Sequence, residues 1–252
     1  MIAGLSKAAT LYLTPALALT AVLLSLFAFL APAVMLQDRV ALLTVTPSNA
    51  LFPGQSTNVD GPSVFLGTLG SIMLLDARQA IDTFAGSCSR HTNSAPVNCT
   101  LPTVSPAYDL SALPGNAPSL LLSPPAPSSA VFIAVAISFS ALFFFMFTAT
   151  SFRHKMGEKV SSALDRPLIQ RLSAWIGVFA FMIGLTSFAV IRMWFGKAVQ
   201  DFNNFIVAQG NNGPKLLAEV GNGFTMVWVA YAFHAAPLVV ALAKLNVKAT
   251  KA

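Results

Sequence analysis

"LYLTPALALTAVLLSLFAFLAPAVML", residues 11–36, contains no charged side chain. The uncharged run around it covers residues 8–37. A helix that crosses a bilayer needs about 20 predominantly apolar residues. Within hydrocarbon a helix satisfies its own backbone N–H and C=O groups, whereas irregular chain leaves them unpaired. The stretch therefore reads as a spanning helix. A cleaved signal peptide is the alternative, with "FLAPA" at 29–33 as the processing site. Signal cores run about 7–15 residues. This run is much longer, so it is expected to stay as a span.

Three further stretches have the same character. They are "AVFIAVAISFSALFFFMFTATSF" at 130–152, "SAWIGVFAFMIGLTSFAVI" at 173–191 and "GFTMVWVAYAFHAAPLVVALA" at 223–243. The composition agrees. Hydrophobic residues make up 55% of the 252 and charged residues only 10%. Soluble domains carry about 25% charged residues. The chain reads as an all-α membrane protein, a four-transmembrane-helix bundle. Its expected organisation is an N-terminus and first span over 1–37, an outer loop domain over 38–129 and a second span over 130–152. A hairpin over 153–172, a third span over 173–196 and a second outer loop over 197–222 follow. A fourth span over 223–244 and a tail over 245–252 complete the chain.

With four spans, both termini lie on the same side as the hairpin. That side carries Lys7, Arg153, Lys155, Lys159, Arg166, Arg171, Lys244, Lys248 and Lys251, against Glu158 and Asp165. The opposite side holds Arg39, Arg78, Arg90, Arg192, Lys197 and Lys215, against Asp38, Asp60, Asp76, Asp82, Asp109, Asp201 and Glu219. Lys and Arg in short loops near span ends mark the cytosolic face. Both termini are therefore expected in the cytosol, in a multi-pass plasma-membrane protein. The net charge of +6 serves orientation rather than nucleic acid, since no basic face outside the membrane is interleaved with aromatics. Arg153, Lys155 and Lys159 are candidate lipid-headgroup contacts. In the hairpin Met156, Val160, Ala163 and Leu164 share a side that suits a membrane surface.

The outward loop contains both cysteines of the chain, in "GSCSRHTNSAPVNCT" at 86–100. Outside the cytosol Cys88 and Cys99 meet an oxidising compartment, where disulfides persist. Two cysteines and one histidine are too few for a four-ligand zinc site, and the spacing is not that of a redox Cys-x-x-Cys pair. A Cys88–Cys99 disulfide is expected, with free thiols or pairing to a second chain as the alternatives. Asn98-Cys99-Thr100 fits the glycosylation pattern, which makes Asn98 a candidate acceptor. The loop also holds Pro47, Pro53, Pro62, Pro96, Pro102 and six prolines beyond them. "SVFLGTLGSIMLL" at 63–75 reads as strand, with Gly67 and Gly70 as bends or bulges. "DARQAIDTFAG" at 76–86 reads as a short helix, and the chain beyond it as an irregular return. A small disulfide-stapled domain containing strands is expected.

Several stretches carry a resemblance. They are "LGTLGS" at 66–71, then "GSC", "NC" and "AYDLSAL" at 107–113, "LTSFAVIRMWFGKAVQDFN" at 185–203, and "VGNGFTMVWVAYAF" at 220–233. Together with the four spans and the long cysteine-bearing loop, they make the chain similar to the claudin-like superfamily. It most resembles the fungal PalI-type and eisosome-associated tetraspan proteins of that superfamily. The resemblance covers nearly the whole chain. It implies a non-enzymatic organiser of a membrane domain, working with lipids, other membrane proteins or its own copies. An accessory subunit of a larger transporter, synthase or pH-sensing complex is the first alternative, and a small membrane enzyme or lipid carrier the second. The outer loop lacks the tryptophans that animal claudins place ahead of the cysteine pair, so junction function does not carry over. The tail "KLNVKATKA" is short.

No catalytic pattern emerges. His91, His154 and His234 fall in separate regions, and there is no phosphate loop, nucleophile elbow or metalloprotease motif. No metal or cofactor is expected. His234 and Arg192 are the candidate intramembrane polar residues. A buried polar group in a span is a functional candidate by default, although His234 also fits a structural bond to a backbone carbonyl freed by Pro237 or to a Ser or Thr on a neighbouring helix. Arg192 can snorkel or pair with Asp201. Gly177 and Gly184 on span three, and Ala130, Ala134 and Ser138 on span two, offer close-packing faces. The phenylalanines of "FFFMF" at 143–147 are expected to face lipid or another subunit.

Overall fold

The computed structural model describes residues 2–32, 39–48, 59–71, 87–99, 102–103, 108–155, 157, 161–162, 164 and 166–249. Its long helices are α1 (Ile2–Leu30), α2 (Pro127–Ser151), α3 (Pro167–Gln209) and α4 (Gly223–Ala249). Each contains a stretch long and apolar enough to cross a membrane. The chain is a multi-pass membrane protein. Two of these helices open on proline, whose fixed φ suits the first helical position and whose missing N–H has no partner to lose there. Gly210, at φ 58, follows α3 in the left-handed conformation that commonly stops a helix. Pro15 and Pro237 lie inside α1 and α4.

The third helix departs from expectation. It covers 43 residues, about 64 Å at ~1.5 Å per residue, roughly twice the thickness of a bilayer core. The helix continues through residues 197–209, which the sequence reading assigns to a loop. Phe188, Ile191, Phe195, Ala198, Phe202 and Ile206 are buried at helical spacing along it. At the other polar end α2 stops at Ser151. A 3₁₀ turn, Arg153–Lys155, follows it.

Among the described residues seven strands follow in chain order: β1 (Leu43–Pro47), β2 (Ser63–Leu66), β3 (Gly70–Ser71), β4 (Ser87–Arg90), β5 (Asn98–Cys99), β6 (Pro102–Thr103) and β7 (Leu216–Val220). Five form an antiparallel sheet in the order β5-β4-β2-β1-β7, while β3 pairs with β6. β1 thus lies between β2 and a strand contributed from far along the chain, with Val45 opposite both Val64 and Ala218. The expected small sheet is present, and its second source, "LLAEV" at 216–220, comes from the other loop. The strand reading beyond Ser71 and the helix at 76–86 lie outside the described residues, as do Met156, Lys159, Val160 and Ala163.

The chain divides into two compact units. The bundle unit comprises Met1–Leu26, Phe132–Ser187 and Met226–Ala252. Phe143, Phe147, Ala174, Leu238 and Ala241 form a core cluster in it. This corrects the reading of 143–147, because Phe143 and Phe147 are fully buried and Phe145 is exposed. Residues four apart share a helix face, so the run divides between core and surface. The sheet unit comprises Phe27–Val131 and Phe188–Thr225. Ala41, Phe65 and Cys88 cluster there with Val97 and Cys99.

The outer edge of β7 is closed by a side chain. Asn203 on α3 donates from Nδ2 to the Ala218 carbonyl and accepts the Ala218 N–H at Oδ1, both at 2.9 Å. One carboxamide thereby supplies a rung that another strand would otherwise seek.

Candidate functional site

In the bundle unit the polar centre is His234. It is 2% exposed, and its Nε2 lies 3.3 Å from the Gly177 carbonyl oxygen of α3. A carbonyl only accepts, so Nε2 carries the proton in this bond. The acceptor is therefore not the Phe233 carbonyl that Pro237 frees but a group on a different helix. The imidazole lies 5.2 Å from the Phe143 ring and 6.1 Å from that of Phe181, which meets Tyr231 edge-on at 5.8 Å. The described carboxylates, Asp60, Asp109, Asp201 and Glu219, all belong to the sheet unit. Within the described part of the bundle, then, His234 has no acid to relay a proton with, and the arrangement serves packing.

Gly177 and Gly184 line this contact. A Cβ on Gly177 would stand 2.8 Å from Phe143 ring carbons and 3.1 Å from Leu238 Cδ1. A Cβ on Gly184 would overlap the Tyr231 hydroxyl and come 3.0 Å from the Ala136 Cβ. Both glycines therefore face neighbouring helices of the same chain. The series on span two is placed differently. Ala130 is buried, but Ala134 is half-buried and Ser138 is exposed, its hydroxyl returned to the Ala134 carbonyl at 2.9 Å. The buried face of α2 instead runs through Ile133, Ala136, Ile137 and Ser140. Ala136 and Ser140 on that face are themselves small and four apart.

In the sheet unit Cys88 and Cys99 form a disulfide, standing opposite one another on β4 and β5. The bond closes the hairpin at the far edge of the sheet from β7. Asn98 beside it is exposed. Replacing both cysteines with serine is expected to cost about 3 kcal/mol, since a short ring then regains its unfolded freedom. Thermal unfolding in detergent, with and without reductant, reads this directly. Reductant should lower the wild-type midpoint to that of the variant.

Arg192 does not pair with Asp201. Its guanidinium lies 5.5 Å from the centre of the Phe224 ring, while Lys197 takes Asp201 at 2.6 Å. The helical i, i+4 spacing favours that second pair. Arg153 and Lys155 lie on the 3₁₀ turn after α2, and Lys159 lies outside the described residues.

Several organising residues carried no motif. Asn222 donates to the Arg39 carbonyl at 2.6 Å and accepts the Ala41 N–H at 3.4 Å. Trp194 donates to the Ser123 carbonyl at 3.3 Å, and Gln209 to that of Asn116 at 3.4 Å. Tyr108, half-buried, donates to the Gly67 carbonyl at 2.5 Å, and desolvation pushes its phenol above the usual range. These side chains bind backbone groups far away in sequence. Asparagine and tyrosine within "NGF" or "AYD" are legible only once their partners are placed. Among the described residues no group of three or more His, Cys, Asp or Glu could hold a metal ion. No family model matches the chain, and no curated protein matches it at a significant level.

Proposed function

We propose that the chain is a non-enzymatic plasma-membrane protein with both termini in the cytosol. It organises a membrane domain through lateral contacts of its helices and contacts of its outer sheet, as its resemblance to fungal PalI-type, claudin-like tetraspan proteins implies. One observation carries this reading. The most deeply buried polar group of the described spans, His234, is taken up by a helix–helix bond among aromatic rings, with no acid and no metal ligand set in the described bundle. A transporter or membrane enzyme needs polar groups that remain available at mid-membrane. An organiser needs a rigid bundle and outward surfaces. α3 offers such a surface in the exposed side chains of Leu172, Trp175, Phe179, Met182 and Met193.

Gentle solubilisation of the full chain, followed by sizing and a census of what stays bound, tests the proposal. Sister copies and lipid without a fixed heteromeric ratio are expected. A partner of fixed stoichiometry would replace the organiser with the accessory-subunit reading. Turnover of a membrane lipid by the purified protein would replace it with the enzyme reading.

A further inference from the structure

The end of the bundle unit around Ser151 collects cations and rings. The chain leaves α2 with the Phe152 N–H bonded to the Thr148 carbonyl and the Lys155 N–H to the Phe152 carbonyl, both at 2.9 Å. This turn sets Lys155 Nζ 5.8 Å from the centre of the Tyr12 ring and 5.9 Å from that of Phe152. The two rings lie 5.7 Å apart. Lys244, from α4, holds its Nζ 5.1 Å from the Phe147 ring. Lys155 and Lys244 are exposed, and among the described residues no carboxylate pairs with either. Exposed lysines beside rings are the complement of an anion that carries apolar chains.

We propose that this end of the bundle binds the phosphate of an anionic membrane phospholipid. Lys155 and Lys244 supply the charge, and the exposed Tyr12 and half-buried Phe152 rings the cover for glycerol and acyl carbons. The inference rests on the four-span reading and gives the proposed organiser its lipid partner. A free phosphate shares the ionic chemistry but has no use for the rings. The position also favours lipid, because Ser151 and Lys244 lie at the ends of apolar windows, Ser128–Ser151 and Gly223–Leu245. Helices of that kind meet the headgroup layer at such points. Lysines near an anionic surface add affinity that salt weakens.

The experiment uses the full chain in lipid nanodiscs of phosphatidylcholine with a minority of phosphatidic acid. The lipid that stays with the protein after exchange into neutral detergent is counted by native mass spectrometry. Wild type should retain phosphatidic acid over phosphatidylcholine by about tenfold, consistent with the worth of juxtamembrane lysines. The Lys155→Ala/Lys244→Ala variant should lose that preference. Lys197→Ala in the sheet unit should lose none of it. High salt should abolish the preference in wild type, a readout that needs no variant to fold. Equal retention of the two lipids by wild type overturns the proposal, and so does full retention by the double variant. Inorganic phosphate that stabilises the lipid-free protein as well as phosphatidic acid does would overturn lipid as the source. A chain that does not enter the discs at all would overturn the four-span reading as well, whereas a chain that enters without selectivity overturns only the site.

Discussion

Gly221→Ala is expected to lose the folded sheet unit, while Gly115→Ala leaves it unchanged. A Cβ on Gly221 would overlap the Ala41 carbonyl oxygen and stand 2.7 Å from its carbon. The obstacle is backbone, not a side-chain tip that can swing away. Relief requires the chain at 221 to withdraw from β1, which breaks the Gly221 N–H bond to the Leu42 carbonyl at 2.9 Å. It also breaks the Gly223 bond to Ala41 at 3.0 Å. Overpacking a well-packed site costs about 1–3 kcal/mol, and here two buried hydrogen bonds are lost as well, at about 1 kcal/mol each. The expected cost is about 3 kcal/mol or more, a fall of roughly 10 °C in Tm for a chain of this size. Gly67→Ala should behave alike, since its Cβ would overlap the Ala31 carbonyl oxygen. Gly115 has nothing within 4 Å of an added Cβ and provides the control. Sizing in detergent after a thermal ramp, with Cys88–Cys99 oxidation as a check on the fold, reads all three. A Gly221→Ala chain that melts with wild type would show that β7 does not approach β1 as described.

Those glycines show what was legible in the sequence and what was not. The four spans were plain, because a run without charge has one stable solution in a bilayer. The cysteine pair was nearly as plain, since only one partner was available. "LGTLGS" suggested bends or bulges at Gly67 and Gly70, and "VGNGF" was visible only as a pattern without a mechanism. The structure supplies one, in that Gly67 and Gly221 stand where backbone meets a carbonyl. That contact depends on residues far away in sequence, Ala31 and Ala41, and no local reading reaches them. β7 was missed for the same reason: "LLAEV" is a strand only because β1 lies beside it. The helical extension to Gln209 was missed through reliance on hydropathy, which fades after residue 196. The periodic signal did not fade, because Phe195, Ala198, Phe202 and Ile206 keep a helical stripe with Lys197, Gln200 and Asn204 exposed around it. The His234 contact was half legible. Its burial followed from its place in an apolar span, but the acceptor on α3 did not, because a glycine carbonyl carries no sequence mark.

Gly184→Leu should be the most damaging substitution in the bundle unit, and its cost should depend on Tyr231. The Cβ alone overlaps the Tyr231 hydroxyl and presses on Ala136 at 3.0 Å. A leucine adds three more carbons in a contact already filled from α2 and α4. Helix association in lipid rests on close approach rather than on a hydrophobic drive, so lost approach is lost stability. Gly184→Ala should cost about 1–3 kcal/mol and Gly184→Leu more. Tyr231→Phe removes the oxygen in the way, so the double variant Gly184→Ala/Tyr231→Phe should be more stable than the sum of the two singles predicts. A coupling of about 0.5–3 kcal/mol is expected for residues in direct contact. Melting each variant in the same detergent closes the cycle. Independent costs would mean that Gly184 does not face Tyr231 within one chain. A Gly184→Leu chain that melts like wild type but loses its sister copies on sizing would move the glycine to a contact between chains. Gly177→Ala discriminates further. Its added carbon meets the edge of the Phe143 ring, beside the carbonyl that His234 uses. Its cost should fall on the His234 contact and be insensitive to Tyr231→Phe.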